Sequence, residues 1–305
     1  MKIDFIVPGF SKCGTTSLCA MLAEHPEIGM PNPHDPTMKE PSFFATEWHQ
    51  GWEVYWSLFQ GVAEKRLKGE GSTVYSTTEY AEVSSQRLLE FFPDVRLIFI
   101  ARDPFARLES SFREMHDSGY KYGLDVPDDI DQALRVLPNM IKDSLYWQRI
   151  QSYRSKMSDA NIKVMFLEDF ERNPAGELAS CFEFLGVDPT VQIKSLNLRL
   201  NSGKSKRQDS QVLQFLKSNR FTSPVWNRVP ESIKNWMMKK LRLRKPFRKP
   251  IEWSEETRNW VLDQVGEDAR QFLKFYGKPA DFWNIAQKTA PHSVVREQPR
   301  VRAAA

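Results

Sequence analysis

The sequence predicts an α/β chain of three layers, with a central parallel sheet between two layers of helices. Three observations predict it. Apolar runs at 3–7, 95–101 and 162–167 read as buried strands. Helical patterns follow them, through Glu24, to about Asp117 and over 174–185. The first two strands enter their helices through short turns of the kind that holds ligands at the carboxyl ends of parallel strands. At 305 residues, the chain is expected to form one domain over 1–288, with a disordered tail over 289–305.

In order, strand 3–7 breaks into the loop Gly9-Phe-Ser-Lys-Cys-Gly-Thr-Thr-Ser-Leu18 and a helix. Gly9 and Gly14 permit unusual dihedrals and close approach of an anion. Thr15, Thr16 and Ser17 place hydroxyls at the helix N-terminus, and Lys12 adds a charge. The spacing is near that of a triphosphate loop, G-x-x-x-x-G-K-[ST], but the lysine stands two residues before the second glycine. Placed there, it suits one activated phosphoryl-like group and its leaving oxygen. An ordinary strand-to-helix turn with capping hydroxyls uses the same residue types, and on the loop alone that reading stays open.

Residues 26–41 hold five prolines and read as irregular. An aromatic helix over 48–59 is expected to pack as core rather than to stack on sugar. A short strand over 69–75 and a helix over 80–92 precede strand 95–101, which ends in Arg102-Asp103-Pro104 and a second helix. Residues 118–140 read as a long loop with one short helix, a place for acceptor specificity. A helix over 143–157, strand 162–167 and helix 174–185 follow. From 194 the chain turns basic and irregular, with a loop ending at Lys204-Ser205-Lys206-Arg207 and seven Lys or Arg in 239–249. The last helix, 254–275, starts at Ser254 as N-cap.

Composition excludes several classes. A net charge of +4 does not make a nucleic-acid coat. Three cysteines in no zinc spacing argue against a disulfide framework and fit a reducing compartment. No metal is expected. No apolar stretch approaches the roughly 18–20 residues that span a bilayer, so a cytoplasmic protein is expected unless a membrane anchor precedes the chain. Oligomeric state is not encoded legibly.

The segment P-G-F-S-K-C-G-T-T-S-L, followed by E-H-P-E-I, resembles the phosphosulfate-binding loop of sulfotransferases that use 3′-phosphoadenosine 5′-phosphosulfate (PAPS). The likeness is greatest to the heparan sulfate branch and its bacterial relatives. Arg102-Asp-Pro with Ser110 eight residues on resembles the family's 3′-phosphate motif, although an arginine paired with Asp103 is the alternative from the residues alone. The resemblance implies a P-loop-like sulfotransferase fold and a donor site of Ser11, Lys12, Cys13, Gly14, Thr15, Thr16, Ser17, Arg102 and Ser110. Lys39-Glu40-Pro-Ser-Phe-Phe44 resembles the K-E-x-x-F-F segment whose glutamate is the base, which implies Glu40 as base and Lys12 as partner of the leaving group. A surface carboxylate beside Lys39 is the other reading of Glu40, and His25, His34, His49 and His116 are further candidates. Lys204, Lys206 and Arg207 resemble a basic loop that closes over the nucleotide; Ser144 and Tyr146 fall where the family has S-x-Y near it. Gly71 and Ala45 depart from lysine and acidic positions of the heparan enzymes, which leaves Glu70 as a second carboxylate.

The resemblance therefore implies sulfuryl transfer from PAPS to a hydroxyl of a saccharide, glycolipid or other small alcohol, without metal or nucleic acid. Two rivals stand beside it: a nucleotide-dependent kinase on the same loop architecture, and a non-catalytic polyanion or membrane-surface binder using 239–249.

Overall fold

Strand β1 (Phe5–Gly9) is buried along its whole length, as an apolar strand covered on both faces must be. In this computed structural model it is the middle strand of a five-stranded sheet of order β2-β3-β1-β4-β5. The others are β2 (Ile28–Gly29), β3 (Leu67–Glu70), β4 (Arg96–Ala101) and β5 (Ile162–Phe166). All pairings are parallel. The structure describes residues 2–32, 40–119, 126–196 and 251–285, and parts of 207–250.

Helices flank the sheet: α1 (Thr15–Ala23), α2 (Gly51–Ser57), α3 (Ala81–Phe91), α4 (Pro104–Ser118), α5 (Ile130–Val136), α6 (Asn139–Lys142), α7 (Tyr146–Arg154), α8 (Leu167–Arg172) and α9 (Pro174–Leu185). Beyond them come β6 (Arg207–Asp209), α10 (Ser223–Arg228), β7 (Arg244–Pro246) and α11 (Glu255–Phe275). The predicted architecture holds. The chain leaves β1 toward β3 and β2 on one side and later crosses to β4 and β5 on the other. The carboxyl end of β1 is thus the point where strand order reverses, the crevice in which open α/β sheets bind ligands.

The local chemistry explains the elements. Asp103 accepts the Ala106 N–H and Pro104 fills the first helical position, which together start α4 directly after β4. Ser254 accepts the Thr257 N–H and starts α11. The aromatic stretch packs as core: Phe43 stacks on Tyr55 at 4.4 Å, and Phe44 meets Tyr75 edge-on at 5.7 Å.

Several boundaries differ from expectation. The irregular 26–41 stretch contains β2, too short at two residues to leave a period. The strand expected over 69–75 ends at Glu70, and Thr73–Ser76 forms a 3₁₀ turn. The loop after 118 carries two helices, α5 and α6. The basic segment contributes a two-stranded antiparallel sheet, β6 with β7.

α7 is capped from far away in sequence. Asp268 on α11 accepts the N–H groups of Trp147 at 3.0 Å and Gln148 at 2.9 Å. Burial pushes its carboxyl up to about 6. A folded-state pKa above the unfolded one means that the native chain binds the extra proton between about pH 4 and 6, so this group's contribution to stability is lost as pH rises through that window. Asp268→Asn is expected to remove that part of the pH dependence. Denaturant midpoints of both proteins at pH 4.5 and 7 check it, and parallel pH profiles would contradict it.

Candidate active site

Three strands deliver the site. β1 ends one residue out of step with β4 between Ile6 and Gly9, a bulge that re-aims the chain into the following loop. The Phe10 N–H donates to Ile100 O at 2.9 Å and pins the loop's entry. Lys12 then takes a left-handed φ of 67°, and Gly14, at φ 97°, is the N-cap of α1. Glycine brings no side chain to cap the first turn, so the N–H groups and dipole of α1 are presented at the loop. Ser11, Lys12, Thr16 and Ser17 are half-buried; Thr15 is buried.

Cys13 contributes only backbone to this surface. Its side chain is fully buried, its Sγ lies 3.6 Å from Ser11 O and 3.5 Å from the Tyr146 hydroxyl, and burial pushes its thiol up. Tyr146 is buried too, and its hydroxyl donates to Arg102 O at 2.9 Å. Ser144 accepts from Arg107 Nη1 at 2.9 Å. Both therefore brace the loop from behind.

β4 delivers Arg102. Its Nη1 donates to Lys12 O at 3.3 Å, while its Nε is buried with no hydrogen-bond partner among the described residues. Asp103, the alternative partner for Arg102, serves as the N-cap of α4. Arg107, Ser110 and Glu114 follow at helical spacing on one face of α4. Arg107 Nε reaches Ser11 O at 3.1 Å, and Lys12 Nζ meets Glu114 Oε2 at 2.7 Å, so that face looks onto the loop with the half-buried Ser110 between. Arg107 and Glu114 escaped the sequence reading. The signal for Arg107 was there: it occupies one position of the buried stripe Pro104, Arg107, Leu108, Ser111, Phe112.

β3 ends in Glu70, and the turn after it holds Glu40. Glu70 is fully buried, with Ser72 Oγ donating to it at 2.6 Å and Tyr75 OH at 2.7 Å. Those hydroxyls in turn accept the Ser42 N–H at 2.9 Å and the Phe44 N–H at 3.2 Å. Glu40 Oε2 accepts both the N–H, at 3.0 Å, and the hydroxyl, at 2.9 Å, of Thr73. Glu70 is thus the buried anchor of the segment that holds the half-buried Glu40, and no acceptor can reach it as a second carboxylate.

Other predicted residues fall elsewhere. Lys204 and Lys206 lie outside the described residues, as does His34; Arg207 opens β6. His25 is buried between Asp188 O and the Glu27 N–H and serves as a helix stop. His116 packs on Phe112 and contacts Pro127 O at 3.1 Å. Among the described residues no group of three or more His, Cys, Asp or Glu could hold a metal ion, and no helix is long and apolar enough to cross a membrane.

Residues 2–240 match the family model described as sulfotransferase domain. A human bifunctional heparan sulfate N-deacetylase/N-sulfotransferase 2 is 24% identical over 197 residues, 61% of this chain and 22% of that protein. A mouse heparan sulfate glucosamine 3-O-sulfotransferase 3A1 is 23% identical over 206 residues, 65% of this chain and 49% of that protein. The chain thus spans about half or less of the length of these curated relatives. Among solved structures, a sulfotransferase from Alicyclobacillus acidocaldarius aligns over 93% of this chain and 99% of its own, with a TM-score of 0.64 at 18% identity.

Proposed function

Because this chain belongs to the sulfotransferase domain family, we propose that it moves a sulfuryl group from PAPS to a hydroxyl of a saccharide, glycolipid or other small alcohol. The observation that carries the reading is the buried Arg102 Nε, which lacks a partner among the described residues at the end of the strand beside the loop. A desolvated guanidinium N–H calls for an acceptor, best an anionic oxygen held by the same fork. The loop and α1 suit one phosphate-like group, and Arg102 with Ser110 suits a second. PAPS carries phosphates at 5′ and 3′, so the residues present fit it.

Bound there, the donor supplies an electrophilic sulfur joined through oxygen to its 5′-phosphate. The backbone around Gly14–Thr16 and the dipole of α1 hold the anion. Lys12 offsets the charge that collects on the leaving phosphate oxygen, while Glu40, fixed by Thr73, takes the proton of the attacking hydroxyl. The S–O bond to the acceptor forms as the S–O bond to phosphate breaks. Alignment of the three groups is the protein's main contribution, as in phosphoryl transfer.

A saccharide acceptor is supported by the relatives, which by name act on heparan sulfate, and a hydroxyl acceptor by the one named a 3-O-sulfotransferase, the other being an N-sulfotransferase. Gly71 stands where the heparan enzymes carry a lysine, and a Cβ there would stand 2.4 Å from Cys19 Sγ. A side chain at that position requires the Cys19 thiol to move.

Calorimetry with 3′-phosphoadenosine 5′-phosphate against ATP, followed by transfer of labelled sulfate to candidate alcohols, tests the reading. The bisphosphate is expected to bind and ATP to bind far more weakly. Tighter binding of ATP would turn the reading to a kinase.

A further inference from the structure

The chain concentrates its positive charge in residues 201–250. That segment carries fourteen Lys or Arg against two acidic residues, Asp209 and Glu231, whereas the rest of the chain carries 29 against 37. A modest total of +4 is therefore a segment at +12 joined to a body at −8.

The same segment exposes apolar surface. Of the eight large hydrophobic residues exposed among the described ones, Phe215, Val225, Ile233 and Leu241 lie within it, each 48–64% exposed. They are not a core left unformed, because Leu213 and Trp226 are buried there with Leu216 and Met237 packed against them. Val225 and Arg228, three positions apart on α10, are both exposed, as are the adjacent Lys240 and Leu241. Apolar and cationic groups thus meet solvent next to one another. Phe247, directly after β7, ties the segment to the body: its ring packs on Phe112 at 6.1 Å and His116 at 5.7 Å. Those two residues lie on the side of α4 roughly opposite Arg107, Ser110 and Glu114, so α4 stands between this anchor and the Lys12 loop.

We propose that this segment is a peripheral membrane contact for an anionic phospholipid surface, with the four apolar side chains entering the headgroup layer and the Lys and Arg meeting the lipid anions. Charge alone suits any polyanion. A sulfated polysaccharide offers no apolar phase, so Phe215, Val225, Ile233 and Leu241 would gain nothing from it, and a second copy would set +12 against +12. A bilayer interface accommodates both features at once. The contact is separate from the donor site and needs neither Lys12 nor Arg102.

Sedimentation of the full chain with lipid vesicles tests the proposal. At about 0.1 M salt, binding is expected to be at least about tenfold tighter to phosphatidylcholine vesicles with about a quarter phosphatidylserine than to phosphatidylcholine alone, and to weaken at least about tenfold at about 0.5 M. A Phe215→Ser/Val225→Ser/Ile233→Ser/Leu241→Ser variant is expected to bind the anionic vesicles about tenfold more weakly while leaving a heparin column at the wild-type salt concentration, with melting curves confirming the fold. Val225→Trp, at the most exposed of the four, is expected to bind about threefold tighter and keeps the test open should the quadruple variant misfold. Lys12→Ala is expected to bind vesicles as wild type does. No preference for anionic vesicles overturns the proposal, as does undiminished binding by the folded quadruple variant or, with that variant unfolded, no gain from Val225→Trp. Heparin binding without vesicle binding assigns the segment to a soluble polyanion, and a dimer in free solution that the quadruple substitution abolishes assigns it to self-association; either result overturns it too. Failure to bind PAPS would leave this contact standing, so the two readings fail separately.

Discussion

Glu40→Gln is expected to lower kcat for sulfuryl transfer by about 10²- to 10⁴-fold, the usual worth of a positioned general base, with nucleotide affinity within about twofold of wild type. Glutamine keeps the size of the side chain and an oxygen that can accept from Thr73 N and Oγ1, as Glu40 Oε2 does. What it lacks is the capacity to take a proton at neutral pH. The loss therefore separates chemistry from placement. Glu70→Gln is the comparison: it disturbs the hydroxyls of Ser72 and Tyr75 that hold Ser42 and Phe44. Its expected effect is a lower melting temperature, because Ser72 and Tyr75 donate to different oxygens of Glu70 and glutamine puts an NH₂ donor in place of one of them. Initial rates at saturating donor, with calorimetry beside them, decide the matter. A Glu40→Gln protein with wild-type kcat would remove Glu40 from the chemistry.

What the sequence shows of this site depends on how local each interaction is. The loop was legible because the features that mark it lie in contiguous residues: glycines that permit the turn, hydroxyls at a helix start and a lysine displaced from the triphosphate pattern. β4 was legible because Leu97 to Ala101 is fully buried and so had to be apolar without interruption. β2 was not, since a two-residue strand owes its existence to pairing with β3 through Ile28 and Leu67. Nor was the division of labour between Glu40 and Glu70. Both are carboxylates near aromatic residues in sequence, and only the fold shows one closed in the core and the other held by Thr73. The pair of Lys12 with Glu114 joins residues 102 positions apart, beyond any motif's reach. Ser144 and Tyr146, expected near the nucleotide, are buried and support the loop from behind.

Arg107→Ala should produce the largest combined loss of stability and binding of any single change behind the loop. This guanidinium is 2% exposed and ties three segments together: Nε donates to Ser11 O at 3.1 Å, and Nη1 to Met140 O at 2.8 Å and Ser144 Oγ at 2.9 Å. Removing it takes the charged donor from the Ser11 and Met140 carbonyls, leaving them the Cys13 thiol at 3.6 Å and the Ser144 hydroxyl at 3.1 Å, and opens a cavity under the loop. The three hydrogen bonds of a buried charged donor, partly offset by the contacts that remain, together with the cavity, give an expected loss of about 3 kcal/mol and a melting temperature lower by about 5–10 °C. Nucleotide affinity should fall at least about tenfold at a temperature where the variant remains folded, because Ser11, next to Lys12, loses its tether and the loop must be ordered at the expense of binding energy. Lysine is no substitute. Its single ammonium cannot reach the Ser11 and Met140 carbonyls from the two edges of a planar fork, so Arg107→Lys should recover less than half of either loss. If the melting temperature dropped while affinity for the bisphosphate held, Arg107 would be a strut of the helical layer alone. A joint loss places it behind the loop, where a rigid guanidinium converts the packing of α4 against α6 into the shape of the anion cradle.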